Sequence, residues 1–494
     1  MSMSQIVANA SILCYDSGNF EKKEVIVMST AKISKQSILT PKKGKDVDMT
    51  QGNIAKHIIS FAIPLLLGNI FQQLYNMVDT WVVGNFVSNE AFSAVGSVGP
   101  IVNMLIGFFM GLSSGAGVVI SQYYGARRYE DVQKTVHTAM VMTLILGVVF
   151  TAIGLAMTPF MLQLMKTPAN VLPESTAYLT IYFSGLLGLM VYNMGAGILR
   201  AVGDSQRPFY FLVVCAIMNT ALDLLFVLGF RMGVQGVALA TILSQAVSAI
   251  LVLITLLRTD ECIQVRISSL RIHWDMLKKI ISVGIPAAIQ MAITAFSNIF
   301  VQSYINHFGS DVMSGWTAYA KVDQVLFLPM QSIALASTTF VGQNLGRNQV
   351  DRAKKGVGLS ITIAVISTVV MMIPVLIFAG PIVGFFNSKP EVMEYGSLLL
   401  RWITPFYVLC CFNQVYSGAL RGAGNTRAPM IFMISSFVVF RQIYLFIMSQ
   451  FCNEIIPIAM SYPAGWLLCS LLTTIYFYKV NLGKNRLVDD KQPA

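Results

Sequence analysis

Asp79 stands seven residues after Gln72 and three after Asn76, inside the apolar run IPLLLGNIFQQLYNMVDTWVVG. Residues at these spacings share one face of a helix, so the three predict a polar stripe turned toward a bundle interior or a cavity. An ionised carboxylate inside so apolar a helix is costly unless it is paired, hydrated or coordinated. A second acid, Asp223, follows Asn219 by four residues in MNTALDLLFVLG, and Thr241 lies 18 residues further on, near the start of the next apolar run. Two carboxylates, an amide oxygen and a hydroxyl are hard oxygen donors of the kind that hold Na+. They suit protons equally, because two carboxylates held close cannot both ionise cheaply. The structural alternative is a pair of acids fixed by neighbouring helices with no further role.

The elements that must position these residues are long and apolar. The chain has 494 residues, of which 55% are hydrophobic and only 12% charged, against roughly a quarter charged in soluble proteins. That balance excludes both a water-soluble globule and a disordered chain. With about 20 residues needed per span, the apolar blocks predict helices at approximately 58–85, 93–121, 134–161, 176–199, 208–230, 234–257, 278–305, 313–342, 355–380, 395–420, 428–450 and 456–479. Residues 1–50 read as a mobile cytoplasmic extension without a cleaved signal peptide. Its last part, near GNIAKHIISF, could alternatively form an amphipathic helix lying on the membrane. Residues 51–257 and 278–480 form two six-helix lobes, 258–277 a cytoplasmic linker and 481–494 a cytoplasmic tail.

The net charge of +11 comes from basic residues in short loops and signals topology, with no nucleic acid implied. Lys and Arg gather in the N-terminal segment, the alternate loops and the C-terminal tail, whereas the opposite side has only Lys166, Arg231 and Lys389. Both termini are therefore expected in the cytoplasm. The seven cysteines form no CxxC pair, so neither a zinc site nor a disulfide framework is expected.

Three blocks recur in order. ISFAIPLLLGNIFQQLYNMVDTWVVGNFVS realigns with ISVGIPAAIQMAITAFSNIFVQSYINHFGS, pairing Pro64 with Pro286 at an offset of 222. SQYYGARRYEDVQK parallels VGQNLGRNQVDRAKK, and GAGILRAVGDSQRPF parallels YSGALRGAGNTRAPM, both at 221. The fold class that follows is an all-α polytopic membrane protein with twelve transmembrane helices in two pseudo-twofold-related six-helix lobes. Such a duplication suits alternating access about a cavity between two bundles. The same offsets carry Asp79 to Phe300 or Val301, Asn219 to Phe440 and Asp223 to Tyr444, so the second lobe lacks the constellation.

At these blocks the sequence resembles the prokaryotic multidrug and toxic compound extrusion (MATE) transporters, most closely their bacterial multidrug branch. The stretches that carry the likeness include GVVISQYYGARR, GILRAVGDSQRP and GVQGVALATILSQ as well as the two acid-bearing runs, and they span residues from about 50 to 480. The resemblance implies an antiporter in the bacterial cytoplasmic membrane that exports organic cations and other amphiphiles in exchange for Na+ or H+. It implies that Asp79, Asn219, Asp223 and Thr241 form the cation site of the first lobe, as metal ligands if the ion is Na+. It also implies that bending near Pro64 reports the state of that site; a proline kink serving packing alone is the plainer reading.

In the second lobe, Asp323 can bind substrate or pair with Lys321 or Arg441, and a structural pair is favoured. Gln72, Tyr75, Gln290, Met291, Asn298 and Asp323 are candidate cleft residues. The expected partners are small cationic or amphiphilic substrates and membrane lipids, with no obligatory protein partner, no cofactor beyond the coupling ion and no catalytic residues. The glycine and arginine motifs after the second and eighth helices end helices and anchor loops. Neither a Walker A pattern nor HExxH is present, and no nucleophile and base are assembled. A flippase for a lipid-linked saccharide and a non-transporting receptor or scaffold are the competing functions.

Overall fold

In hydrocarbon every backbone N–H and C=O must be satisfied within the protein, so apolar runs of this length fold as helices. The computed structural model describes residues 47–165, 167–452 and 454–488, and those residues contain helices and no strand. The described residues form one compact unit, of which 260–262 are not part. The expected mobility of the N-terminal extension up to residue 46, and the last residues of the tail, lie outside the described residues.

The first six spans are Ile54–Phe86, Asn89–Gly125, Tyr129–Leu164, the pair Leu172–Ser184 and Leu186–Ala201, Gln206–Leu224 and Gly233–Arg258. The second six are Trp274–Asn306, Ser310–Gly346, Val350–Ile377, the pair Pro390–Ile403 and Tyr407–Gly422, Arg427–Phe451 and Ile455–Lys479. Eleven pass the length and apolarity expected of a membrane span individually, and the fourth makes twelve as a pair bent by 47°.

Several details depart from the sequence reading. The fourth span breaks at Gly185, where a Cβ would lie 2.4 Å from Ile242 of the sixth span. The tenth breaks at Thr404–Phe406, a 3-10 turn containing Pro405, as expected of a residue that cannot donate a helical hydrogen bond. Pro64 and Pro286 lie inside helices assigned without interruption. The segment near GNIAKHIISF, for which a surface helix was the alternative reading, is the beginning of the first span, capped by Asn53 accepting from the Lys56 amide.

Span one serves both halves of the molecule. Its beginning, Ile58, Phe61, Ala62 and Leu65, packs in the core of the second lobe, whereas Val82 and Val83 pack in the core of the first. Around the crossover Asn69 Nδ2 donates to Ser332 Oγ of the eighth span at 3.4 Å. Spans two and seven meet backbone to backbone: a Cβ on Gly111 would lie 2.4 Å from the Ala288 nitrogen, and one on Gly115 2.4 Å from Gly284 Cα. Small residues four apart permit this approach.

The lobes are clasped at the face where both chain ends leave the body, here the terminal face. Gln343 Nε2 donates to the Ala201 carbonyl (3.0 Å) while its Oε1 accepts from the Met49 amide (3.0 Å). Gln122, its repeat mate, donates to the Gly422 carbonyl (2.8 Å) and accepts from the Leu487 amide (2.7 Å). The 221-residue offset thus relates both glutamines and both acceptor carbonyls. Residues 47–50, assigned from sequence to a mobile extension, are therefore fixed at their end: Met49 and Thr50 are buried. The tail is docked up to residue 488, with Lys279 Nζ donating to the Leu487 carbonyl and to the Tyr123 hydroxyl. The linker is docked as well, since the Arg266 amide donates to His137 Nε2 and the His273 amide to Thr138 Oγ1.

Candidate cation site and cleft

The first, fifth and sixth spans converge on the two acids. Asp79, Asn219, Asp223 and Thr241 are all buried, at 8%, 0%, 0% and 6% exposure. Asp79 meets the side chains of Asp223, Thr241 and Asn219, yet most polar atoms of the group are left unpaired. Asp79 Oδ1, both Asp223 carboxyl oxygens and both Asn219 amide atoms are buried without a partner. The Thr241 hydroxyl proton is committed to the Val237 carbonyl at 2.9 Å, so that oxygen presents lone pairs to the acids.

Buried polar atoms are nearly always satisfied, and acceptors facing acceptors are satisfied only by a proton or a cation between them. The donor set is all oxygen with two carboxylates, which fits Na+ as cargo or a shared proton. Among the described residues no cluster of three or more His, Cys, Asp or Glu occurs, so nothing there resembles a transition-metal site. The fifth span passes into a π-helical turn, Leu225–Gly229, two residues after Asp223. Such turns are rare and are frequent at functional sites.

Sequence reasoning missed the wall of this site. Tyr178 and Tyr182 of the fourth span stack at 6.2 Å with 14° between ring planes, and Tyr178 lies within electrostatic reach of both acids. Cys215, beside Ser244 and Ser248, faces Asp79. The spacing of Thr241, Ser244 and Ser248 on one helix face was the available signal.

On the polar stripe of the first span Gln72 is half-buried, Asp79 is buried and Asn76 is exposed, and the buried Tyr75 lies on the same side as Gln72 and Asp79. Gln290, a candidate cleft residue, is buried at 6% and directs Nε2 to the Met433 sulfur at 2.7 Å, inside the second lobe. Met291 lies between the lobes, 3.4 Å from where a Gly107 Cβ would stand. Asn298 is exposed and accepts from Arg441 Nη2 at 2.9 Å.

Asp323 does not make the structural ion pair favoured from sequence. Among the described residues neither Lys321 nor Arg441 pairs with it; instead Asp323 Oδ1 accepts from the hydroxyls of Tyr407 and Tyr319. Its spacing explains this: Thr317, Lys321 and Gln324 face outward while Asp323 is turned partly inward toward the tenth span. Among the described cysteines, Cys215, Cys410, Cys411, Cys452 and Cys469 are unbridged.

The MatE family pattern matches residues 64–225 and again 286–447, in keeping with the duplication. Among curated relatives, the probable multidrug resistance protein YoeA of Bacillus subtilis is 29% identical over 453 residues, covering 90% of this chain and 96% of its own. The probable multidrug resistance protein YpnP of the same organism is 28% identical over 410 residues, with 83% and 92% covered. A solved outward-facing structure of a multidrug resistance MATE family transporter of the MOP superfamily superposes with a TM-score of 0.84 at 23% identity. The match covers 89% of this chain and 98% of that one, and it shows a shared fold.

Proposed function

Because the chain belongs to the MatE family of membrane transporters, we propose that it is a cation-coupled antiporter exporting organic cations and other amphiphiles across the bacterial cytoplasmic membrane. The single observation that carries coupling is the pair of acids, Asp79 and Asp223, buried against one another and the Thr241 lone pairs with only the Asn219 amide placed to donate to them. A site so arranged binds Na+ or H+ and releases it when a competing charge or a change of packing makes the bound state less favourable. The first span carries Asp79 into one lobe while its other end is packed in the second. Occupancy of the acid pair therefore acts on an element that both lobes hold, which is what alternating access needs. The loop distribution of Lys and Arg supports a cytoplasmic terminal face, and the clasp there then closes the cleft on the cytoplasmic side.

The test is efflux of ethidium from proteoliposomes with Na+ and pH gradients imposed separately. One gradient drives efflux in the wild type, naming the ion, and Asp79→Asn and Asp223→Asn abolish that response. Gradient-independent movement of ethidium, with both variants behaving as wild type, would overturn the antiport reading.

A further inference from the structure

Two short segments of the chain cross the seam of the terminal face, and they do so in the same register. A Cβ on Gly203 would lie 2.4 Å from the Val47 carbonyl oxygen, and two residues later the Met49 amide donates to Gln343 Oε1. A Cβ on Gly424 would lie 2.8 Å from the Asn485 carbonyl oxygen, and two residues later the Leu487 amide donates to Gln122 Oε1. Gly203 and Gly424 are 221 residues apart, as are Gln122 and Gln343. The segments that fill these two places are not repeat mates, and their sequences, Val-Asp-Met and Asn-Arg-Leu, differ at every position.

Each place is composite. One takes its glycine turn from the first lobe and its glutamine from the second; the other takes its glycine from the second and its glutamine from the first. Main chain carries the recognition in both. A carbonyl rests against a glycine at φ of 92° or 88°, where a side chain would be strained as well as in the way, and an amide is held by the glutamine. The carbonyl of that same residue is then held by a cationic side chain. Arg352 Nη2 donates to the Met49 carbonyl at 3.2 Å and to the Gly52 carbonyl at 2.9 Å, and Lys279 Nζ donates to the Leu487 carbonyl at 2.7 Å. Bonds with an ionised donor are the stronger kind.

The same two glutamines also donate across the seam, Gln343 to the Ala201 carbonyl and Gln122 to the Gly422 carbonyl. Parting the lobes carries the glycine of each place away from its glutamine, so neither place survives with the terminal face open. A segment bound in one state alone shifts the equilibrium toward that state.

We propose that these composite places are receptors for main chain, filled by the protein's own segments 47–50 and 485–488, and that the two segments are straps that hold the terminal face closed and undock before it opens. The proposal rests on the alternating access of the export reading and adds to it the device that sets how readily this face opens.

The experiment uses the full-length protein in nanodiscs with Cys14 and Cys452 changed to serine. Spin labels are carried by Glu130→Cys and Asp351→Cys, exposed repeat mates in the two lobes, and their distance distribution gives the ratio of open to closed terminal face with no gradient imposed. Proline has no N–H, so Met49→Pro and Leu487→Pro each withdraw the amide that a glutamine holds. The Arg486 backbone, at φ −59° and ψ 132°, already suits a following proline. Each proline variant raises the open-to-closed ratio by about three- to tenfold, the scale of one main-chain hydrogen bond with its stranded acceptor. Met49→Leu and Leu487→Met keep the amide and the bulk and leave the ratio within about twofold. Arg352→Gln and Lys279→Gln withdraw the cation from the strap carbonyl without touching the backbone and shift the ratio the same way. They decide the question if the proline variants do not fold.

A ratio unchanged in the proline and glutamine variants, or shifted as far by Met49→Leu and Leu487→Met as by proline, overturns the straps. Gradient-driven ethidium efflux with an unshifted ratio means that the straps alone fail. A shifted ratio without gradient-driven efflux means that the coupling reading alone fails.

Discussion

The acid site of the first lobe lies on spans one, five and six, whereas the second lobe holds on spans seven and eleven a buried cation, Arg441, that donates to Ser297 and Asn298 beside the π-helical turn Ile434–Phe440. Around Asp79 and Asp223 oxygen acceptors face one another; around Arg441 donors outnumber acceptors. At the terminal face the two halves instead remain alike. Gln122 and Gln343 make the same pair of bonds, Arg127 and Asn348 both adopt positive φ (59° and 62°), and so do Gly203 and Gly424. The repeat has kept its clasp and its turns twice, while its buried charges have diverged. Symmetric parts hold the lobes together, and the asymmetry is confined to the buried charges.

The sharpest way to break that comparison is to neutralise acids in each lobe. Asp223→Asn or Asp79→Asn is expected to lower gradient-driven ethidium efflux by about tenfold or more, within the usual range of coupling between sites. Asp323→Asn keeps the gradient response, because its carboxyl is already hydrogen-bonded by Tyr319 and Tyr407. Equal losses in both lobes would mean that the division of labour is wrong.

Next in size is the terminal face itself. A Cβ on Gly346 would lie 2.0 Å from the Gln122 carbonyl oxygen, whereas one on Gly358 meets nothing within 4 Å. Gly346→Ala should open the clasp at an overpacking cost of about 1–3 kcal/mol. It should raise labelling of an introduced cysteine in the seam, with Gly358→Ala unchanged. Unaltered labelling in Gly346→Ala would show that the lobes do not meet there.

The two glutamines test symmetry directly. Gln122→Ala and Gln343→Ala each strand a backbone amide and a carbonyl, at about 1–3 kcal/mol for each buried group. Spin-label distances across the terminal face should therefore lengthen to similar extents in both variants. A response in one alone would make the clasp one-sided.

The smallest effect concerns the linker. Partial burial and the neighbouring Arg271 and Lys134 hold His273 below the usual histidine pKa. The unfolded state then binds the proton better, so docking is favoured above about pH 6.5 and weakens as pH falls below it. Protection factors of the amides over residues 266–273, corrected for the intrinsic pH dependence of exchange, should fall modestly between pH 7.5 and 5.5, and less in His273→Asn.

Much of this architecture was legible in the residues. Apolar block length predicted twelve spans, and the offsets linking Pro64 with Pro286 and Arg200 with Arg421 predicted two like halves. The four oxygen-bearing residues of the first lobe were identifiable because buried polar groups are conspicuous in apolar helices. What could not be read was how side chains pair across helices. Asp323 shares its helix with Lys321, yet its partners are on the tenth span as well as its own. Gln290 has the same periodicity as a cleft residue but packs on Met433. Nothing in helical spacing distinguishes the lobe interior from the seam between lobes. The π-helical turns beside Asp223 and Arg441 depend on packing as well and have no sequence signature of their own.

The most direct test of the central claim, that the acid pair of the first lobe exchanges its ion for substrate, is to measure ion release when substrate binds. Purified protein in nanodiscs is titrated with ethidium in weakly buffered solution with a pH indicator, and in parallel with a Na+-selective electrode. The wild type should release H+ or Na+ as ethidium binds, Asp79→Asn and Asp223→Asn should bind it with no release, and Asp323→Asn should match the wild type. Undiminished release in both first-lobe variants, or its loss only in Asp323→Asn, would contradict the account.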